Sequence, residues 1–318
     1  AQITNIDYNG GAAADSDITN LLASASTDAM TVAPRKELLV WSGSTFTPGA
    51  VVNVENIDIN GTIVQAKKNI FVSGRWDSTG GTFTSAGTVT FNTSTSSGQL
   101  ITSNGTSFSG VTITGTGSWS PRGAMNVDGR FTILSGTFAQ SGSTLNIAGN
   151  IRVASGGVFL KSTNGSKLIL DGDLLLENET SLSMGTMQVG TSPDTTTLSG
   201  ALRVDKLTVG TGDVLVLSGQ NLFVGTGGLF IHGLLDASDH ASQSSTITVS
   251  GSWLATGTGD FVSGRSTVRF AARSGSYDVF SSGAFFNFTI NGTGSTCTAT
   301  GSLDINGNAQ FSAGTFTA

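Results

Sequence analysis

Apolar and polar residues alternate along most of this chain, in short runs punctuated by glycine. MNVDGRFTILSGTF (125–138), LNIAGNIRVASGGVF (145–159), LILDGDLLLENETSL (168–182) and LDINGNAQFSAGTF (303–316) share one plan. Each reads apolar-x-apolar-x-Gly, then a few alternating residues, then another apolar residue. IDINGTIVQ (57–65) is a partial copy. A period of two sends every second side chain to one face, so each run predicts a strand with one buried face. Glycine between two such strands predicts a tight corner, because it accepts positive backbone angles. Gly129, Gly149 and Gly172 are 20 and 23 residues apart.

A longer unit contains the short one. IFVSGRWDSTGGTFT (70–84) matches ITVSGSWLATGTGDFV (247–262), with Val72, Gly74 and Trp76 recurring as Val249, Gly251 and Trp253. Thr88–Phe91 then matches Thr267–Phe270, Val111–Ser118 matches Phe288–Ser295, and Ser135–Phe138 matches Ala313–Phe316. The long repeats occupy 70–139 and 247–317, about 177 residues apart, and repetition at this scale governs the expected architecture. A corner every 20–23 residues with short strands between is one coil of a parallel β-solenoid. The expected fold is therefore all-β, with an apolar column inside and a hydroxyl column outside. Tandem β-sandwich modules are the alternative; their hairpins turn more often than this spacing allows.

Residues 1–45 do not share the pattern. In DSDITNLLASAS (15–26), Ser16 or Asp17 can cap a helix that places Ile18, Leu21 and Leu22 on one side. The segment reads as a short helix, or a loop, covering the first coil of a repetitive β domain spanning 46–318. No charged or Pro-rich linker interrupts that domain, so it reads as continuous.

Composition narrows the class. Ser, Thr and Gly number 42, 44 and 44, whereas charged residues make up only 11%. The regular Val, Ile, Leu and Phe set these runs apart from disordered Ser/Gly linkers. A net charge of −6, with Arg35-Lys36 and Lys67-Lys68 as the basic pairs, argues against a nucleic-acid partner. No run is apolar for long enough to form a membrane span, since LILDGDLLL (168–176) is broken by Asp and Gly. The Ala1-Gln2 start is what signal-peptide cleavage leaves, which implies secretion. The final GTFTA (314–318) matches GTFAQ (136–140), where a further coil follows at once. The last coil is therefore expected to be covered by more chain or by another copy, through head-to-tail strand addition.

Candidate chemistry is sparse, and the reading assigns no catalytic, cofactor-binding or metal-ligating residue. His232 lies among apolar neighbours, and His240 lies near Asp236 and Asp239 without ligand spacing. Asp171 and Asp173 flank Gly172 and read as corner carboxylates rather than an acid–base pair. Cys297, the single cysteine, reads as a small buried apolar residue. Trp76 and Trp253 read as packing residues, with sugar stacking as the other use. Thr-x-Thr at 82–84, 88–90, 112–114 and 315–317 suits a strand face without requiring a ligand. Asn-x-Ser/Thr acceptors for N-glycosylation occur at Asn60, Asn92, Asn104, Asn164, Asn178, Asn287 and Asn291.

The stretches GTFTSAGTVTF (81–91) and SGTFAQSGSTLNIAGN (135–150) resemble the degenerate Gly/Ser/Thr repeats of large surface proteins. Filamentous-haemagglutinin-like and autotransporter-passenger solenoids belong to that class. The resemblance covers residues 46–318 and carries no catalytic residue. It implies secretion, a cell-surface location, and a structural or adhesive role. The expected function is an extracellular structural subunit that assembles with copies of itself into a filament, sheath or tube. An adhesin fragment binding surface polysaccharide is the second reading, and a polysaccharide-active enzyme the third.

Overall fold

The computed structural model describes residues 24–26, 29–32, 34–35, 37–161, 165–180, 182–191, 193–238 and 243–318. Among these residues the chain is all-β, a parallel β-solenoid of about 14 coils spaced about 20 residues apart. Each described pairing joins a strand to its counterpart in a neighbouring coil in the parallel sense, for example Ile70–Val72 on Val89–Phe91. A sandwich needs antiparallel hairpins, so the tandem-sandwich alternative does not apply. The described residues fall into two compact units: those up to Ile147 with Val153–Ser166, and Ala148–Arg152 with Lys167–Ala318.

In the first unit, three short strands per coil build three ladders. Val52, Ile70, Val89, Val111 and Phe131 stand in register along one. Leu38, Ile57, Trp76 and Ile101 form the second. Phe46, Ile63 and Phe83 form the third. All of these residues are buried. Alternation is the reason: in Val52–Val54 and Ile70–Val72 the outer two residues point in and the middle one out. Burying one such side chain contributes about 1.5–3 kcal/mol. The hydrogen-bonded ladders meanwhile satisfy the backbone, as in Val52 N–H to Asn69 O at 3.1 Å.

The second unit repeats the plan. Leu168, Met187, Leu207, Leu229 and Trp253 form one interior column. Leu222, Ile247, Val268 and Phe288 form another. A third runs Leu174, Thr196, Leu215, Leu235, Phe261. Thr196 is an exception to the expected sorting of hydroxyls to the outside, because its side chain is fully buried in this apolar column.

The two long repeats build the same aromatic cluster. Trp76 packs against Phe83, Phe91 and Phe108 with ring centroids 4.8, 6.2 and 5.3 Å away. Trp253 packs against Phe261, Phe270 and Phe285 at 4.8, 6.4 and 5.3 Å. Phe83–Phe108 and Phe261–Phe285 close the clusters at 5.8 and 5.7 Å. Both tryptophans are fully buried, which places them in packing rather than on a sugar-binding surface.

Three expectations need correction. The helix expected over 15–26 does not extend to its end: Ser24–Ser26 is a strand paired parallel with Phe46–Pro48, and residues 15–23 lie outside the described set. Met30–Thr31 and Glu37–Val40 likewise stack on Val52–Asn53 and Asn56–Ile59, so coil strands lie on both sides of residue 45. The corner expected at Gly129 also needs correction. Gly129 lies inside the long strand Met125–Ala139, at a register shift against Phe108–Gly110, and does not need a positive φ. It is glycine because a methyl there would stand 1.9 Å from the Ser109 carbonyl oxygen of the coil below. The positive backbone angle falls seven residues later, at Gly136 (φ 74°), and at its repeat partner Gly314 (φ 93°).

Candidate functional site

Outward positions also stack, and in the second unit they assemble a groove. The strands Leu202–Val209, Leu222–Ile231 and Thr246–Val249 place Arg203, Phe223 and Thr248 in one outward column. The Arg203 guanidinium lies over the Phe223 ring, 3.8 Å from its centroid. The register breaks between Val204 and Lys206, where the chain turns a corner, and Gly225 sits at the matching place one coil on. The result is a groove of about 390 Å³ walled by Ser183, Arg203, Phe223, Gly225, Thr248 and Ser250. Ser183 is held in place: it donates to Asp205 Oδ1 at 2.8 Å and accepts from Gly185 N at 3.1 Å. The Thr248 and Ser250 hydroxyls make no hydrogen bond among the described residues.

The first unit carries a groove at the equivalent place. It is about 190 Å³ and is lined by Thr31, Asn53, Glu55, Phe71, Ser73 and Asn92. Phe71 and Ser73 correspond to Thr248 and Ser250 in the repeat. By register, Thr31 corresponds to Arg203 and Asn53 to Phe223. The charge is reversed. Glu55, whose carboxylate accepts the Arg35 backbone N–H, takes the place of Gly225.

Carboxylates elsewhere hold corners together. Asp171 Oδ1 accepts from the Thr191 hydroxyl at 2.5 Å, and Asp173 Oδ1 accepts from Thr195 N at 2.8 Å. Asp213 is buried, accepts from Asp194 N at 3.1 Å, and is tucked so close that a methyl at Gly190 would meet its carboxyl carbon at 1.8 Å. Burial pushes the Asp213 carboxyl above its ordinary value, against the pull of the Asp194 N–H hydrogen bond, and the Asp194 and Asp171 charges add to the rise. Asp58 is also pushed up, by burial and then by Glu37 and Asp77, against the pull of Arg75. Arg75 in turn is paired with Glu37 at 2.7 Å.

His232 is half-buried, with Nδ1 3.2 Å from the Thr256 hydroxyl. Asp239 and His240 lie outside the described residues, as does Lys36. Cys297 is buried beside Tyr277, and burial pushes its thiol up to about 11. Of the glycosylation acceptors, Asn92 and Asn104 are exposed, while Asn60, Asn287 and Asn291 are half-buried. Asn104 spends its amide on the Thr79 carbonyl at 3.0 Å. Asn178 is buried, and its Oδ1 accepts from the Thr180 backbone N–H and hydroxyl. Asn164 is outside the described set. No helix among the described residues is long and apolar enough to cross a membrane.

Sequence reading missed both grooves, because neither is a local motif. Arg203, Phe223 and Thr248 stand 20 and 25 residues apart and meet only once the coil register is known. No family model, curated protein or solved structure matches the chain.

Proposed function

We propose that this is a structural protein of the cell surface, one that associates with copies of itself through stacked coils. One observation carries the reading. What recurs between the long repeats is a packing unit, the Trp-centred aromatic cluster, reproduced to within 0.2 Å in its centroid distances. Duplication of buried packing serves length and rigidity. A duplicated catalytic centre would instead repeat titratable groups. The self-association half rests on the parallel stacking itself, in which each coil pairs with its neighbours through backbone ladders such as Ile70–Val72 on Val89–Phe91.

A solubility built on hydroxyls and amides rather than charge suits the extracellular setting that the surface-repeat resemblance implies. Immunogold labelling of intact and permeabilised source cells tests the location. Label on intact cells is the expected result, and label only after permeabilisation overturns the surface reading.

A further inference from the structure

We propose that the Arg203 groove binds an acidic polysaccharide, with a uronate carboxylate on the Arg203 guanidinium. Stacking on Phe223 holds the guanidinium flat and fixes the direction of its donors. A planar fork so held matches a carboxylate in the two-point manner that a lysine cannot. Thr248 and Ser250 supply hydroxyls, free of partners among the described residues, on the same wall. The volume of about 390 Å³ lies in the range that small ligands occupy.

The column beyond the groove extends the match. Arg203, Phe223, Thr248 and Arg269 follow one another in register on consecutive coils. With strands ~4.8 Å apart, the two arginines stand roughly 14 Å apart along the coil axis. An extended chain of sugars lying along that axis meets one coil per ring and reaches a cation at each end. Arg203 and Arg269 are both exposed and have no carboxylate partner among the described residues, in a chain with 21 acidic and 15 basic side chains. Asp205, the carboxylate beside the groove, is engaged by Ser183.

The equivalent groove in the first unit serves as a control within the same molecule. It keeps the Ser250 hydroxyl as Ser73, but has Phe71 for Thr248, Asn53 for Phe223 and Thr31 for Arg203, and adds Glu55. It repels the ligand that the second groove attracts. The inference goes beyond the structural role, and the two stand separately: filaments that ignore the sugar leave that role intact.

Isothermal titration of the full chain with tri-galacturonate tests the proposal, with the neutral trimer of galactose as comparison. Binding is expected at low salt, weakening as salt screens the pair, with no comparable heat from the neutral trimer. R203Q is expected to weaken binding roughly ten- to hundredfold, and R203K to fall between, because it keeps the charge and loses the fork. R273Q, at an exposed arginine away from the groove, is expected to bind like the parent. Thermal unfolding of each variant should match the parent, since the changed side chains are exposed. Unchanged affinity in R203Q overturns the proposal, as does equal binding of the neutral trimer. Equal binding of a short DNA single strand overturns the sugar as the ligand class.

Discussion

Trp76 meets Phe83 edge to face, with ring centroids 4.8 Å apart and planes at 73°, and Trp253 repeats the contact with Phe261 at 4.8 Å and 75°. The two tryptophans differ in one respect. Trp76 donates its indole N–H to the Ser78 hydroxyl at 3.3 Å, whereas the Trp253 N–H is buried with no partner among the described residues. Replacing either by alanine empties the centre of a cluster and is expected to cost about 3–5 kcal/mol. Replacing each by phenylalanine separates them. W76F loses a hydrogen bond and W253F removes an unpaired donor, so W76F is the more destabilising by about 1 kcal/mol. Urea unfolding of the two variants measures the difference.

Gly129 and Gly98 give opposite expectations for one substitution. A methyl at Gly129 collides with the Ser109 carbonyl oxygen, a backbone atom tied into the coil ladder, while Gly98 faces open space at an ordinary backbone angle. G129A is expected to cost about 2 kcal/mol or more by forcing two coils apart. G98A is expected to stay within about 0.5 kcal/mol of the parent. Equal midpoints in urea unfolding would contradict the close-approach account.

Asp213 makes stability depend on pH with a definite sign. Its carboxyl is raised above the ordinary 3.8 in the folded chain, so the ionised form is disfavoured there relative to the unfolded chain. That cost is absent below the unfolded value, grows as pH rises through the folded value, and is then fully present. D213N keeps an acceptor for the Asp194 N–H and removes the charge. It is expected to be more stable than the parent at neutral pH, by a margin that vanishes toward pH 3.8. D213A loses the acceptor and is expected to be less stable across the range. Unfolding midpoints measured against pH give both comparisons.

Cys297 is enclosed by its coil neighbours, and its thiol is pushed up to about 11. The thiolate is the reactive form, so the folded protein at neutral pH is expected to resist iodoacetamide and to react stoichiometrically once unfolded. Rapid labelling of the folded chain, followed by mass spectrometry, would contradict the burial.

The coil plan was legible because alternation and glycine spacing are local, and the stacked registers follow once like residues are aligned. Trp76 and Trp253 were legible as packing residues for the same reason. Phe108 and Phe285 stand at the same 177-residue offset, but SFSG and AFFN share little else, and their place against the tryptophans is visible only in the packing. The strands at 24–26 and 30–31 were hidden by their brevity, since two or three residues establish no period. Gly129 was identified as special for the wrong reason, because a close approach to Ser109 leaves no trace in the neighbouring sequence. The Arg203 groove draws on four coils and was invisible to any reading along the chain.

The central claim is that coil stacking continues between molecules. Negative-stain electron microscopy of the purified protein at neutral pH, over a range of concentrations, tests it most directly. The account predicts regular filaments or tubes that lengthen with concentration. Single dispersed molecules at every concentration would contradict it.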